Sequence, residues 1–287
     1  MPLLLHRRNF LNAAIGTLGA AVFARGASDA VRWALLSDTH VAEDPTDTYR
    51  GFRPAEQCKT AVQQVASGTF DGYLINGDLA RLAGRPGDYG RFADTAAPLI
   101  EKGPVALTLG NHDDRANARS GFARAAGENV NVAGKSVWGV DAGPLRLILL
   151  DSLLETNVVP GFLGKKQRDW LAADLDAHAD RPSIVFVHHT LGDGDSDLLD
   201  ADRLLKILRP RRQVKALFYG HSHQWKREVQ EGLHLVNLPA VGYNFEDSEP
   251  VGWVEAEMRK GGAELTLHAF GGNRAKDGER VKLEWRA

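Results

Sequence analysis

The chain of 287 residues has a single cysteine, Cys58, and almost no imbalance of charge. One cysteine cannot form an internal disulfide, so any metal site in this chain has to be built from His, Asp and Asn. The formal net charge of -2 gives no footprint for nucleic acid or for an anionic membrane surface. No internal repeat or low-complexity tract stands out. What remains is an ordinary globular protein, and its hydrophobic fraction of 43% is typical of that class.

The N-terminal segment has the composition of an export signal. It starts with basic side chains, continues through the nearly uncharged residues 13–23, and ends in small residues at 24–27. Arg7-Arg8 followed by Phe10-Leu11 resembles the twin-arginine motif, which would make the twin-arginine export machinery a partner. We expect residues 1–27 to be a signal peptide, residues 28–287 to form a single domain, and the protein to be periplasmic or secreted. The alternative for the first segment is a helical arm with two solvated arginines.

Short apolar runs of strand length recur along the chain. Several lack the alternation of apolar and polar residues that a strand with one solvent-exposed face would show. They lie at residues 31–36, 73–76, 105–109, 145–150, 184–187, 214–219 and 233–238. Candidate helices lie between them at residues 54–66, 88–100, 165–178 and 197–208, and the third is expected to turn Arg168 towards solvent. Turn residues between 253–258 and 264–268 indicate an antiparallel tail. Together these patterns predict an α/β sandwich with mixed sheets.

Polar segments follow five of these apolar runs, and they hold six of the ten histidines. The segments are Ser37-Asp38-Thr39-His40, Gly77-Asp78, Gly110-Asn111-His112-Asp113, His188-His189 and Gly220-His221-Ser222-His223. Asp38 and His40 are two residues apart at the end of a strand, so side-chain alternation predicts that both turn to one side. The same spacing puts His221 and His223 together. Imidazoles and carboxylates so placed are typical ligands of a divalent or trivalent metal.

The remaining segments are given roles by the same reasoning. Gly77 lets the backbone turn so that the Asp78 carboxylate projects beyond the strand, although a simple Asx turn is the alternative. Asn111 offers a neutral oxygen to a metal, whereas His112 can stand back and face a substrate, with Asp113 holding its imidazole in the useful tautomer. Adjacent strand residues face opposite ways, so we expect only His188 to be a ligand. His189 would then support the ligands or be a satisfied core histidine.

Taken in this order and spacing, the segments resemble the calcineurin-like metallophosphoesterase family. The pattern extends from Asp38 to His223 and covers most of the mature chain. The bacterial branch that contains cyclic-nucleotide and glycerophospho-diesterases is the most similar, because residues 108–115, 150–152 and 167–171 also look like it. The resemblance implies a four-layer αββα sandwich with two mixed β-sheets and a dinuclear metal site at the carboxyl ends of the strands.

The resemblance also implies a ligand set and a reaction. Metal 1 would be held by Asp38, His40, Asp78 and His223, and metal 2 by Asp78, Asn111, His188 and His221. A hydroxide bridging the two ions (Fe, Mn, Zn or Co) would attack a small phosphoester substrate, and His112 would assist the leaving group. We expect a phosphodiesterase. The alternatives are a broad-specificity phosphomonoesterase and a non-catalytic protein of the same fold that binds metal or phosphate.

The sequence departs from the family pattern at two places near the mouth of the site. Neither departure removes a proposed ligand. Thr190-Leu191 follow the histidine pair where the family often has two prolines, so the loop beyond metal 2 is expected to differ in shape. Several relatives place another acid after Gly77-Asp78, whereas here Leu79-Ala80-Arg81 follow, which puts Arg81 near the mouth of the site. Arg81 or Arg115 would be able to hold a phosphate oxygen, but a solvated or ion-paired arginine is the commoner situation.

Overall fold

The structure, a computed structural model, describes residues 29–121 and 128–287. The expected signal peptide at residues 1–27 therefore lies outside the described residues. None of the helices within the described ranges is long and apolar enough to cross a membrane.

Thirteen strands and five α-helices make up the described part of the chain. The strands are β1 Ala30–Leu36, β2 Gly72–Asn76, β3 Val105–Thr108, β4 Glu128–Val132, β5 Lys135–Ala142, β6 Leu145–Leu149, β7 Ser183–Phe186, β8 Val214–Tyr219, β9 Lys226–Gln230, β10 Leu233–Asn237, β11 Pro250–Arg259, β12 Gly262–Gly272 and β13 Arg280–Glu284. The helices are α1 Pro54–Ser67, α2 Pro86–Lys102, α3 Arg115–Gly121, α4 Lys165–Ala177 and α5 Ala201–Leu208.

The strands form two mixed sheets. In the first, the order is β13-β12-β11-β1-β2-β3, with β1, β2 and β3 parallel to one another and the three C-terminal strands antiparallel. In the second, the order is β4-β5-β6-β7-β8-β10-β9, with β6, β7, β8 and β10 parallel. The antiparallel tail expected from the turn residues is confirmed by the long β11–β12 hairpin.

Alternation along β1 shows how the layers are built. Trp33 and Leu35 pack into the core between the two sheets, whereas Ala34 and Leu36 pack into a second core beneath α1 and α2. The second sheet repeats the arrangement, because its other face packs against α4 and α5. The sequences of these strands are continuously apolar because both of their faces are buried. The expected four-layer αββα sandwich is confirmed.

The seven strands expected from the apolar runs match the observed ones to within one residue at each end, whereas the two tail strands β11 and β12 extend up to four residues beyond the expected 253–258 and 264–268. Helix α5 begins at Ala201 rather than at residue 197, because Leu198 and Leu199 donate their backbone N–H groups to Thr190 and Gly161 of neighbouring loops. Strands β4, β5, β9 and β13 were not among the expected strands. The sequence of β9 is largely polar, because this strand lies at a sheet edge and only part of its side chains is buried.

Arg168 in α4 differs from its expected place in solvent. Its side chain is 8% exposed and its guanidinium is hydrogen-bonded to the carboxylate of Asp200. Asp200 also accepts the backbone N–H groups of Leu163 and Gly164, each at 3.0 Å. The helix pattern alone does not reveal this burial, because the partner carboxylate comes from a loop 32 residues further along the chain.

Arg286 fastens the C-terminus to the end of α5 and should matter for stability. Its guanidinium donates to the carbonyl oxygens of Leu208, Arg209, Arg211, Val214 and Glu231. We expect Arg286→Ala to lower the free energy of unfolding, measured by urea denaturation, by about 2–3 kcal/mol, because charged hydrogen bonds are lost and carbonyls are left unpaired. Arg280→Ala is the control, since that side chain is 74% exposed. Equal effects of the two substitutions would contradict the fastening role.

Candidate metal centre

All five polar segments lie at the carboxyl ends of parallel strands. Three follow β1, β2 and β3 of the first sheet, and two follow β7 and β8 of the second. Asn76 joins the two sheet edges at this point: its amide donates to the carbonyl of Val187 at 3.1 Å, and its own carbonyl lies 2.8 Å from Nδ1 of His188. The fold therefore brings the segments together in one cleft between the sheet ends.

The ligand-type residues occupy an uncommon backbone conformation. Positive φ angles are found at Asp38 (53°), His40 (48°), Asp78 (49°), His221 (69°) and His223 (55°). Left-handed conformations are rare for non-glycine residues, although Asp and His tolerate them better than most, and they cluster at functional sites. The paired side chains therefore share a side because tight turns beyond the strands aim them, and the strand alternation assumed from the sequence does not apply, since β1 ends at Leu36 and β8 at Tyr219.

Among the described residues, the cleft holds two groups of ligand-type side chains that share no member, and a third group that overlaps both. Potential ligand atoms lie within 4.8 Å of one another in the first group, Asp38, His40 and His223, and in the second, Asp78, His188 and His221. The third group consists of His40, Asp78 and His112. Asp78 connects the groups, because its Oδ2 lies 3.4 Å from Nε2 of His188 and 3.7 Å from Nε2 of His40. This division is the one that the family resemblance implied for metals 1 and 2.

Backbone carbonyls orient the histidine rings. Nδ1 of His188 lies 2.8 Å from the Asn76 carbonyl, and Nδ1 of His223 lies 2.7 Å from the Tyr243 carbonyl. Each contact leaves Nε2 facing the carboxylates, 3.4 Å from Asp78 for His188 and 3.3 Å from Asp38 for His223. A carbonyl that fixes the tautomer of the second nitrogen is the usual support for a metal-binding imidazole.

The buried polar atoms of the cleft fit a bound cation. Oδ1 of Asn111 and Nε2 of His188 are fully buried, and neither has a hydrogen-bond partner among the described residues. Asp38 and His188 are 0% exposed and Asp78 is 2% exposed. Buried groups of this kind are costly unless they are paired or bind a metal. The donor set contains only imidazole, carboxylate and amide groups, which suits transition metals such as Fe, Mn, Zn and Co.

The electrostatics of the cleft couple its carboxylates to His188. Burial opposes a charge on His188, but the carboxylates of Asp78 and Asp38 outweigh burial and raise its pKa to about 10. Burial, together with neighbouring imidazoles, lowers the pKa of His40 to about 3 and that of His221 to about 4, although the carboxylates of Asp78 and Asp38 oppose the shift. The two carboxylates thus stabilise one positive charge among several imidazoles, which is the kind of field in which a cation binds.

Close backbone approach explains two glycines of the motif. Gly77 has a φ of +77°, and a Cβ at this position would lie 2.4 Å from Nδ1 of His188. A Cβ at Gly110 would lie 2.2 Å from Oδ1 of Asp78 and 2.6 Å from Nε2 of His188. No larger residue fits at either position without moving the ligand-type side chains.

His112 lies at the edge of the cleft and is partly exposed. Its backbone N–H donates to Oδ1 of Asp78 at 2.9 Å, and its ring centroid lies 5.4 Å from that of His40. The ring is held by the carbonyl of Leu82, 2.8 Å from Nδ1. The carboxylate of Asp113 does not hold this imidazole, in contrast to the sequence-based expectation.

Asp113 instead orders the turns beneath the site. It is fully buried and accepts the backbone N–H groups of Gly110, Leu79 and Ala80, together with the hydroxyl of Tyr89. Burial and the nearby Asp78 carboxylate raise the pKa of Asp113 to about 6. Its contacts identify it as a positioning residue for the turns that carry Asp78 and Asn111.

His189, Arg115 and Arg81 each have partners within the protein. Both nitrogens of His189 are engaged, one 2.7 Å from Oγ of Ser152 and one 3.1 Å from the Val159 carbonyl, so it is a satisfied core histidine. Arg115 forms a bidentate ion pair with the buried Asp151. Arg81 is paired with Asp47 at 2.8 Å. The paired state was the commoner alternative for both arginines.

Three supports of the site were not recognised in the sequence. Asn76 joins the sheets, whereas Leu82 and Tyr243 act through backbone carbonyls. Asn76 carries a usable signal, because a polar residue at the end of an apolar strand and before Gly77-Asp78 is unusual. Leu82 and Tyr243 carry none, since any residue provides a carbonyl.

Comparison with known proteins places these features in a family. The family model for calcineurin-like phosphoesterases matches residues 31–225. The chain is 30% identical over 218 residues to the 3',5'-cyclic adenosine monophosphate phosphodiesterase CpdA of Pseudomonas aeruginosa, an alignment that covers 73% of this chain and 76% of that protein. It is 27% identical over 228 residues to the glycerophosphodiester phosphodiesterase GpdQ of Enterobacter lignolyticus, covering 75% and 80% of the two chains.

A solved structure supports the same fold. A dimetal phosphatase from Danio rerio superposes with a TM-score of 0.67 at 17% identity, covering 89% of this chain and 99% of that one. Likeness at this level of identity concerns the fold alone. With the motif match from β1 to the turn after β8, the chain belongs to the calcineurin-like phosphoesterase family.

Proposed function

We propose that this chain hydrolyses phosphodiesters with two bound metal ions. The observation that carries the proposal is the position of Asp78, whose Oδ2 faces both groups of buried ligand-type side chains. A carboxylate shared by two cations about 3.5–4 Å apart is the arrangement by which two-metal enzymes cleave phosphate esters.

The proposed ligands divide as the two groups divide. One cation would be held by Asp38, His40, Asp78 and His223, and the other by Asp78, Asn111, His188 and His221. Once bound, the cations would neutralise phosphoryl oxygens and lower the pKa of water at the site. The side chains hold their positions through the left-handed turns and the carbonyl contacts to Nδ1 of His188 and His223.

His112 is proposed as the residue that assists the leaving group. Because the Leu82 carbonyl lies at Nδ1, the ring keeps its Nε2 for the substrate. In its protonated form, Nε2 can donate its proton to the ester oxygen that departs. The partial exposure of the ring allows it to exchange that proton with solvent afterwards.

A phosphodiester is preferred over a monoester because the relatives just described are named as phosphodiesterases. We expect the protein supplied with Mn²⁺ to hydrolyse bis(p-nitrophenyl) phosphate with a higher kcat/KM than p-nitrophenyl phosphate. Release of p-nitrophenol is followed by absorbance for both compounds. A preference for the monoester would reject the diesterase proposal and favour the phosphomonoesterase, and inactivity on both would favour the non-catalytic alternative.

We also propose that residues 1–27 direct export through the twin-arginine route, on the strength of Arg7-Arg8 and the short apolar stretch that follows. Replacing both arginines by lysine should leave the protein in the cytoplasm, because the route reads the arginine pair. Cell fractionation and immunoblotting measure this, with Arg25→Lys as the matched control. Unchanged export of the double variant would contradict the proposed route.

A further inference from the structure

A groove on the outer face of the second sheet lies beside α5, outside the metal centre. Side chains of β8, β9 and β10 form its floor, and α5 together with residues 190–199 forms its walls. Its volume of about 590 Å³ falls within the roughly 300–1,000 Å³ that small-molecule sites occupy. Tyr219 and Leu235 of the floor belong to the core under α4 and α5, and none of the proposed metal ligands lines this α5 groove.

The floor of the α5 groove contains a buried polar group without a partner. Asn237 lies between Tyr219 of β8 and Lys226 of β9 in the strand register, so the three side chains share the outer face of the sheet. Asn237 is 1% exposed, and its amide nitrogen donates to the hydroxyl of Ser222. Its Oδ1 has no hydrogen-bond partner among the described residues. An unpaired buried carbonyl oxygen is costly, so a ligand that donates to it would be stabilised here.

The charge of the α5 groove is mostly negative. Three carboxylates and two bases line it, namely Asp193, Asp202 and Glu228, and Arg209 and Lys226. The Arg209 guanidinium already donates to Gln230 at 2.5 Å and lies 3.8 Å from a carboxylate oxygen of Glu231. Burial, followed by the carboxylates of Glu228 and Asp197, raises the pKa of Tyr219 to about 12. These carboxylates favour a positively charged ligand over a negatively charged one.

Apolar side chains form the rest of the lining. Leu198, Leu205 and Leu235 are buried, whereas Leu199 is 60% exposed. The backbone N–H of Leu199 donates to the Gly161 carbonyl at 2.9 Å, so this exposed residue is held in place. A hydrocarbon body can therefore pack against the leucines while a charged end reaches the polar floor.

From this combination we propose that the α5 groove binds a small organic cation, in which an ammonium group is carried on an apolar body. The ammonium group donates to Oδ1 of Asn237 and is neutralised by the carboxylates of Glu228 and Asp202, while the apolar body packs on the leucines. An organic anion of the same shape is disfavoured, because it meets like charges. The proposal is independent of the proposed diesterase activity, since it uses no residue of the metal centre.

The test measures the binding of tryptamine and of 3-indolepropionate to the Mn²⁺-loaded full chain by isothermal titration calorimetry. The two compounds share an indole ring and carry opposite charges. We expect tryptamine to bind with a dissociation constant below about 1 mM, a reasonable affinity for a ligand of about a dozen non-hydrogen atoms, and 3-indolepropionate to bind at least about 10-fold more weakly.

Charge-neutral variants locate the bound tryptamine. Glu228→Gln and Asp202→Asn keep the shape of the side chain, and each should weaken tryptamine binding about 2- to 10-fold, because one attractive charge is lost. Glu264→Gln is the matched control, since Glu264 is also a half-buried carboxylate of a strand but belongs to β12 of the first sheet. It should leave the affinity unchanged.

The outcomes separate the α5 groove from the metal centre. Absence of tryptamine binding, or equal binding of the two indoles, overturns the proposal. Wild-type affinity in both Glu228→Gln and Asp202→Asn also overturns it, because tryptamine would then bind elsewhere. Hydrolysis of bis(p-nitrophenyl) phosphate by the same samples tests the diesterase activity alone, so an inactive protein that binds tryptamine as expected supports the α5 groove and rejects only the diesterase proposal.

Discussion

Replacing Asp78 by alanine should strip metal from both groups of the cleft and lower kcat/KM by more than about 100-fold. The reason is that its Oδ2 faces both groups, at 3.4 Å from His188 and 3.7 Å from His40. Loss of an outer support typically costs 10- to 100-fold in metal affinity or activity, and loss of a shared ligand should exceed that. Metal per chain, measured by inductively coupled plasma mass spectrometry after loading with Mn²⁺ and desalting, should fall from two ions towards none.

Two companion variants make the Asp78 result interpretable. Asp78→Asn keeps the shape of the side chain and an oxygen acceptor for the His112 N–H, so it separates the loss of the carboxylate charge from the loss of the whole side chain. Asp88→Asn changes another buried aspartate that accepts backbone N–H groups, from Glu43 and Arg85, outside the metal centre. It should retain two ions. Retention of both ions in the Asp78 variants would refute the shared-ligand assignment.

Replacing His112 by alanine should have the opposite signature, with metal content unchanged and turnover reduced. The expected decrease in kcat is roughly 10²–10⁴-fold, the usual contribution of a general acid or base. The ring lies at the partly exposed edge of the cleft and is held at Nδ1 by Leu82, so its removal leaves the two ligand groups intact. Kinetics with bis(p-nitrophenyl) phosphate and metal analysis on the same samples test both halves of the expectation.

The metal analysis matters because His112 also forms a ligand-type group with His40 and Asp78, all within 4.8 Å. If His112→Ala loses one ion, the residue is a ligand and its proposed role in the leaving-group step falls. Full activity would remove it from the mechanism altogether. His178→Ala serves as the control, since that histidine lies at the end of α4 and is bonded to the carbonyl of Asp174.

The strands and the location of the site could be predicted from the sequence because both depend on local pattern. A strand that is buried on both faces has a continuously apolar sequence. The polar segment that follows such a run must lie at the carboxyl end of the strand, which is where the site of an open α/β sheet is found. The fold class followed from the alternation of runs and helices, and the layers followed from the family resemblance.

What could not be predicted depends on partners that are distant in sequence. The burial of Arg168 requires Asp200, and the delayed start of α5 requires the carbonyls of Thr190 and Gly161. The orientation of His112 depends on the Leu82 carbonyl, which has no sequence signature. Likewise, Asp113 was expected to hold the His112 imidazole. Its carboxylate accepts the backbone N–H groups of Leu79, Ala80 and Gly110 instead, which the sequence does not indicate.

The left-handed turns of the metal centre also bear on how the protein folds. Five proposed ligands have positive φ angles, and each such residue costs on the order of 1–2 kcal/mol. Their sum is comparable with the whole net stability of a typical domain, about 5–15 kcal/mol. The turns persist only because the two sheets and their three apolar cores impose them. Formation of the cleft in its observed geometry is therefore coupled to the assembly of both sheets.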